Sequence, residues 1–582
     1  MVKSASWLAP KLWLAALVTL AICTWIPAPA LALQDAFKDA KKEYDAGEKE
    51  NSPAKMSRAV LAMGAAGTPE ARDFLLDLLA QDQKARKGKK PGLPGDVRKN
   101  LISAMGSFSD EASVVKIGEA IAKIDSLKDP SSALDQFDLF FPLARMEKSE
   151  SAMQVITGAL SNPKNPYVKV AALEAVRQGG NQRFVDAVVA ILREDNKEWW
   201  EKWKIVPINV FACLEVIAAT DVNDAALKAV TAAAELAQKW EIDKVEPDER
   251  TRYFAGRMLK AITGERADIT AWKFWSWWAA QKKATGKVVG GAKAPERRPS
   301  KTASPPVFNT APVGTRYVFC IDVSLSMNME LKINLDEIEK RKPQKPTTGN
   351  KKQNVDPEEQ KRQDEEDARV AEEERKRGID SLKKLPWKSI TTKMELAREE
   401  LARAIESMPE GFFFAVVTYS TNVDCITGGF IKSDKDSRGK WAKAAREMEP
   451  EALTNIHGGL MASLRLGSSA YKPFLPEHPS VDPDCVTSGA DTIIFLTDGW
   501  GSWSDDSNGR TAQDPRNPKD PTALIGDGTH ILGKDIWPDI ARQNLFRKVV
   551  INTVGIGYHD EECLKNISND SGGTYIDWGF KE

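Results

Sequence analysis

The sequence predicts two kinds of domain in one chain: an all-α solenoid of paired helices, then a doubly wound α/β domain. Three observations carry this. The length, 582 residues, leaves room for several cores at roughly 150 residues per domain. Amphipathic helical segments fill the first half, whereas short apolar strand runs alternate with helices in the second. Between them, 285–312 is rich in Gly, Pro, Ser, Lys and Ala, with Gly291, Pro295, Pro299, Pro305 and Pro306 marking a linker. The balance of 82 Lys+Arg against 83 Asp+Glu gives a net charge of -1, so no global field attracts nucleic acid. Six Cys and four His without a CxxC pair disfavour thiolate-zinc chemistry.

The first segment, 1–32, sets the expected compartment. Lys3 and Lys11 precede an apolar run, 12–26, broken by Thr19, Cys23 and Thr24; Pro27, Pro29 and Ala30-Leu31-Ala32 follow. A basic start, a short apolar stretch and small residues before the cut describe a secretory signal peptide cleaved after Ala32. The run is shorter than the ~20 residues of a membrane-spanning helix. Leu20-Ala21-Ile22-Cys23 loosely resembles a lipoprotein signal, but Ile22 is too bulky before the cysteine. The expectation is an exported chain, periplasmic, cell-surface or extracellular, without an integral membrane span after cleavage. Cys213, Cys320, Cys425, Cys485 and Cys563 then remain. Their odd number and wide spacing do not make a disulfide framework. One bridge within the C-terminal half stays open, and the spacing does not choose it.

From 33 to 284 the chain reads as helices separated by short polar turns. Arg58-Ala59-Val60-Leu61-Ala62-Met63-Gly64 is echoed by Lys99-Asn100-Leu101-Ile102-Ser103-Ala104-Met105-Gly106 and by 168–176. Each is followed by a second amphipathic helix, at 71–80, 112–124 and 183–193. Related units fall near 137–160, 211–237 and 253–280. Spacings of roughly 30 to 45 residues suit paired-helix repeats, which bury their apolar faces by stacking. The region resembles HEAT repeats, in about six degenerate units. In Trp272-Lys273-Phe274-Trp275-Ser276-Trp277-Trp278 aromatics surround the helix, which predicts a capping helix buried on several sides rather than an aromatic sugar platform.

After the linker, the run 317–321 reads as a strand ending in Asp322-Val323-Ser324-Leu325-Ser326. A second buried-strand run, 492–496, ends in Thr497-Asp498-Gly499, and Thr454 precedes a helix pattern. Strands at 412–418 and 549–554 alternate with helices at 440–448 and 561–567, implying a mostly parallel sheet covered on both faces. In such sheets ligands sit beyond the carboxyl ends of the strands. Asp322, Ser324, Ser326 and Asp498 all follow strands at that edge.

These residues resemble the metal-ion-dependent adhesion site of a von Willebrand factor A (VWA) domain over 316–577: the DxSxS signature at Asp322, Ser324 and Ser326, the loop threonine at Thr454, the later aspartate at Asp498. The resemblance implies a Rossmann-like VWA domain at 313–582 and a divalent cation, Mg²⁺ first, with Mn²⁺ or Ca²⁺ as alternatives. Carboxylates and hydroxyls are hard oxygen ligands suited to these ions. In the family an acidic side chain of a protein partner occupies the open coordination position. The implied function is non-enzymatic adhesion-type binding, with the helical array as a second surface. The alternatives are a scaffold whose metal only stabilises the fold, or a VWA partner of an AAA+ ATPase, which the signal peptide argues against. No GxSxG, GxxxxGK[ST] or HExxH motif supports catalysis.

The sequence departs from the family between DxSxS and the first helix, which resumes at 391–405. A charged insert, about 330–388, intervenes, with helix-supporting pairs Glu358/Arg362, Glu365/Arg369 and Glu373/Arg377. Rooted beside the metal residues, it covers the site, extends it, or is a tolerated excursion. The stretch 500–538 reads as a long connection in which Ser504-Asp505-Asp506-Ser507-Asn508-Gly509 hints at a calcium loop, with Pro515 where an EF-hand needs Glu. His457 either approaches a ligand or only starts its helix.

Overall fold

The computed structural model describes residues 28–87, 90–219, 224–285, 308, 310–331, 361, 365, 368–369, 372, 383–473 and 477–578. The apolar run of the predicted signal, most of the linker and most of the charged insert lie outside the described residues. The chain divides into two compact units, one comprising 1–124 with 138–155, the other 125–137 with 156–582.

The first unit is helical: α1 (Ala28–Lys49), α2 (Pro53–Ala66), α3 (Pro69–Lys87), α4 (Gly95–Met105) and α5 (Glu111–Ala122), with parts of α6 (Ser132–Ala144) and α7 (Glu150–Leu160). Helix α2 packs on α4, and α3 on α5. The repeated Met-Gly has a reason at the first crossing. A Cβ on Gly64 would lie 2.8 Å from Ala104 Cα, so only glycine lets the two backbones meet. Buried Arg72 joins α3 to α5 by donating to Ser113 Oγ at 3.0 Å.

In the second unit the helices form two rows. Helix α8 (Pro166–Gly179) packs on α11 (Ile205–Ile217), which packs on α13 (Glu249–Thr263). Between these come α9 (Val185–Leu192), the short α10 (Lys197–Glu201), α12 (Asp224–Asp243) and α14 (Trp272–Thr285); α9 packs on α12, and α12 on α14. Each helix thus meets its counterpart one pair further along, the arrangement that stacked helix pairs produce. In α14 Phe274, Trp275 and Trp278 are buried, and the Trp275 indole donates to the Asp268 carbonyl at 2.9 Å. These three aromatics are core, whereas Trp272 and Trp277 are half-buried.

The same unit holds the sheet. Its strands, among the described residues, are β1 (Arg316–Asp322), β2 (Phe413–Tyr419), β3 (Val423–Cys425), β4 (Ile431–Lys432), β5 (Thr492–Thr497), β8 (Val550–Ile556) and β9 (Tyr575–Trp578). The order is β3-β2-β1-β5-β8-β9, with β4 also on β2. Strands β2, β1, β5, β8 and β9 run parallel, whereas β3 and β4 pair antiparallel with β2. Alternation along β1 sends Tyr317, Phe319 and Ile321 into one apolar cluster, with Leu396, Leu401 and Ile405 of α15 (Lys393–Glu406) and Ala442 of α16 (Lys435–Arg446). Val318 and Cys320 enter the other, with Leu460 of α17 (Ile456–Leu464), Ile536 of α19 (Gly533–Gln543) and Leu564 of α20 (Glu561–Ser571). Both sheet faces are therefore covered by helices.

One sequence expectation is corrected. The stretch read as a long connection, 500–538, contains a two-stranded hairpin, β6 (Ala512–Gln513) with β7 (Leu524–Ile525), and the first turns of α19. A short helix, α18 (Pro483–Ser488), also precedes β5. Two-residue strands are too brief for a visible period, and Pro538 inside α19 looks like a breaker in sequence. All five described cysteines are buried and free.

The helical rows grip the sheet at the amino ends of its parallel strands. Asn209 of α11 donates to the Phe546 carbonyl at 2.7 Å. Arg250 of α13 donates to the Arg547 carbonyl and pairs with Asp491 at 3.4 Å. Tyr253 donates to the Gly572 carbonyl at 2.5 Å. Lys548, whose φ is 54°, sends its ammonium to the fully buried Glu174 of α8 at 2.6 Å. Glu174 also holds Arg177 at 2.6 Å. Burial alone would raise the Glu174 carboxyl, but Arg177 and Lys548 hold it down at about 2. The clamp leaves the opposite, carboxyl edge of the sheet clear of these contacts.

Candidate metal centre

The carboxyl edge is where the strand order switches. From β1 the chain goes to β2 on one side and later returns to β5 on the other, which opens a crevice between β1 and β5. Asp322 ends β1 and Asp498 follows β5. The loop after β1 is held by main-chain bonds: Val323 N–H donates to the Tyr419 carbonyl at 2.9 Å, and Glu451 N–H donates to the Val323 carbonyl at 2.5 Å.

Four of the five predicted ligands form one hydrogen-bonded chain. Asp322 Oδ1 accepts from the Ser324 N–H at 2.8 Å, and its Oδ2 accepts from the Thr497 hydroxyl at 2.7 Å. Ser324 Oγ and Ser326 Oγ stand 2.9 Å apart; Ser326 donates onward to Asp498 Oδ1 at 2.7 Å. The chain does not pass through the Thr454 hydroxyl. Thr454 is placed at the same edge by its backbone: its N–H donates to Ser502 Oγ at 3.0 Å, and its carbonyl accepts from the Ser502 N–H at 2.9 Å.

Sequence reading missed Lys393. Its Nζ lies 2.7 Å from Asp498 Oδ2, and the two side chains are 12% and 0% exposed. This ammonium supplies the counter-charge that a cation would otherwise provide. Helix α15 starts with a capping box of Thr392 and Glu395, and Lys393 is its first residue. A cation there opposes the helix dipole, a faint clue that the lysine serves something beyond its helix. Gly557 makes room for it: at φ +67° a Cβ would lie 3.1 Å from Lys393 Cε. The insert is rooted at this point, since the Leu331 N–H donates to the Thr391 carbonyl at 2.8 Å and the Lys393 N–H to the Met329 carbonyl at 3.2 Å.

The donor set fits a hard cation. Asp322 and Asp498 are 0% and 2% exposed, and Lys393 neutralises one of them. Burial, and then the neighbouring Asp498, push the Asp322 carboxyl up to about 7. Two desolvated carboxylates and adjacent hydroxyls favour a small oxygen-seeking ion. Asp322, Ser324, Ser326, Thr454 and Asp498 are the residues that would hold it.

Beside Lys393 opens a cleft of about 1510 Å³, lined by Met329, Trp500, Arg516, Trp537 and Tyr558 among others. Leu325, Met329 and Tyr558 are 56%, 60% and 83% exposed. They place apolar side chains around a polar centre. The Ser504–Gly509 carboxylates are engaged locally: Asp506 accepts from Ser504 at 2.6 Å and Thr529 at 2.7 Å, and Asp505 accepts from Asn455 at 2.6 Å. His457 turns from the cluster to Asp539, 2.9 Å away.

No known protein-family pattern matches the chain, and no curated protein matches it. Among solved structures, a von Willebrand factor type A protein from Catenulispora acidiphila is similar at 16% identity and a TM-score of 0.24, covering 47% of this chain and 41% of that one. The match therefore spans less than half of that protein's length. The chain has a helical N-terminal region followed by a mixed, mainly parallel α/β sheet.

Proposed function

We propose that this chain is an exported, non-enzymatic interaction protein. Its sheet domain takes a divalent cation, Mg²⁺ first, on Asp322, Ser324, Ser326, Thr454 and Asp498, and through it an acidic side chain of a protein partner. The carrying observation is the pair of buried carboxylates, Asp322 and Asp498, linked through the Ser324 backbone N–H and the hydroxyls of Ser324 and Ser326 at the strand-switch crevice. The exposed Leu325, Met329 and Tyr558 suit partner contact around it. The HEAT-like helical rows, clamped to the far edge, supply a second recognition surface.

The test is calorimetric titration of the mature chain with Mg²⁺, Mn²⁺ and Ca²⁺, beside an Asp322→Ala/Asp498→Ala variant. One saturable site lost in the variant supports the reading, and partner capture should then disappear in chelator. Equal behaviour of the two proteins sinks the mechanism. One observation favours a second reading. Lys393 pairs with Asp498 at 2.7 Å, a built-in counter-charge that suits a scaffold in which the helical rows alone do the binding. Under that reading Asp322→Ala leaves partner capture intact.

A further inference from the structure

A second cluster of side chains able to ligate a metal comes from α17, α19 and the turn before α19, apart from the oxygen-rich centre. His457 Nε2 and Asp539 Oδ2 are 2.9 Å apart. The His530 ring stacks on His457 with centroids 4.2 Å apart and planes 20° from parallel. One ligand atom from each of His457, His530 and Asp539 lies within 4.8 Å of the others. His457 is 9% exposed, whereas His530 and Asp539 are partly buried.

The hydrogen bonds leave the right atoms available. His530 Nδ1 lies 3.3 Å from the Asp535 carbonyl; a carbonyl only accepts, so Nδ1 carries a proton, and in the neutral ring the Nε2 lone pair is then the one available to a metal. A backbone carbonyl that fixes the tautomer of a ligating imidazole is a common supporting contact in metal sites. At His457, moving the ring proton from Nε2 to Nδ1 frees Nε2 beside the Asp539 carboxylate. Burial alone would raise the Asp539 carboxyl, but hydrogen bonding, that from His457 foremost, and the charge of the protonated imidazoles hold it below its ordinary value; ligation would take those ring protons away. The carboxylate is thus in its ligating form.

We infer that His457, His530 and Asp539 form a second metal site, for a borderline transition ion such as Zn²⁺. Two imidazoles and one carboxylate suit Zn²⁺ and its neighbours, whereas the Asp322 centre offers only hard oxygen. Zinc–ligand bonds of about 2.0–2.2 Å require donor atoms closer together than the present spread. His530 stands in the turn before α19, so binding would require that turn to shift inward. The ion would tie α17, which begins just after Thr454, to α19.

The test is Zn²⁺ titration of the full mature chain in saturating Mg²⁺, by calorimetry, with Co²⁺ absorption as a readout of coordination. One Zn²⁺ per chain is expected in wild type and in Asp322→Ala. A loss of at least about tenfold is expected in His530→Ala and in Asp539→Asn, with circular dichroism unchanged. His530 lies in a turn, and Asp539→Asn keeps the side-chain shape, so at least one variant keeps the fold. The inference is overturned if no saturable Zn²⁺ binding occurs, if both variants bind like wild type, or if binding is lost only in Asp322→Ala.

Discussion

Replacing Lys393 with Met removes the ammonium from Asp498 and keeps the aliphatic stem. Lys393 Nζ lies 2.7 Å from Asp498 Oδ2, with the side chains 12% and 0% exposed. An ion bound there must first displace this charge-assisted hydrogen bond, worth about 1.5–3 kcal/mol. At about 1.4 kcal/mol per tenfold, Lys393→Met should bind Mg²⁺ roughly 10 to 100 times more tightly. The same change leaves Asp498 buried without its counter-charge, with only the Ser326 hydroxyl donating to it, which costs about 3–5 kcal/mol when the fold allows no relief. In chelator the variant should therefore melt below wild type, and saturating Mg²⁺ should recover the loss by mass action. Calorimetry gives the affinity and thermal unfolding with and without Mg²⁺ gives the stability. Unchanged or weaker Mg²⁺ binding in a folded Lys393→Met protein would refute the reasoning, because it would mean the ammonium and the ion do not compete for Asp498.

Other perturbations test separate parts of the molecule. Glu400 of α15 is 6% exposed, and burial, opposed by Arg403 and aided by Glu399, pushes its carboxyl up to about 7. A carboxyl raised in the folded state costs stability as pH climbs past its unfolded value, and the cost is complete above the folded one. Glu400→Gln should therefore be more stable than wild type at pH 8, by at most about 3 kcal/mol, with the gain shrinking toward pH 5 in denaturant melts. Lys548→Met should destabilise the second unit by about 3–5 kcal/mol, because Glu174 and Arg177 then remain with one positive charge fewer; an unchanged urea midpoint would contradict the clamp. Cys213, Cys320, Cys425, Cys485 and Cys563 are each at most 4% exposed, and burial pushes their thiols up. They should resist a thiol reagent in the native protein and react fully in guanidinium.

Local chemistry made much of the α/β region legible. The apolar run ending at Asp322 became a strand buried along nearly its whole length, and the run ending at Thr497 did the same, because central parallel strands are apolar on both faces. Strand ends placed Asp322 and Asp498 at one edge, since parallel neighbours carry their carboxyl ends together. The helices at 391–405 and 561–567 shifted by a few residues, to Lys393–Glu406 and Glu561–Ser571, as capping geometry decided their limits. The hairpin of β6 and β7 and the antiparallel edge strands were not legible. They are too short to show a period and owe their existence to neighbours already in place.

What the sequence determined by itself was the order of helices and strands and the placing of Asp322, Ser324, Ser326 and Asp498 after strands, because each follows from periodicity and spacing along the chain. Only the tertiary structure decided which charges meet. Lys393 pairs with Asp498 across 105 residues, His457 with Asp539 across 82, and Asn209 reaches Phe546 across 337. A lysine on a helix looks the same in sequence whether it points to water or to a buried carboxylate. The difference is made by desolvation and by the fold's register, which bring distant groups within hydrogen-bond reach and make their pairing necessary.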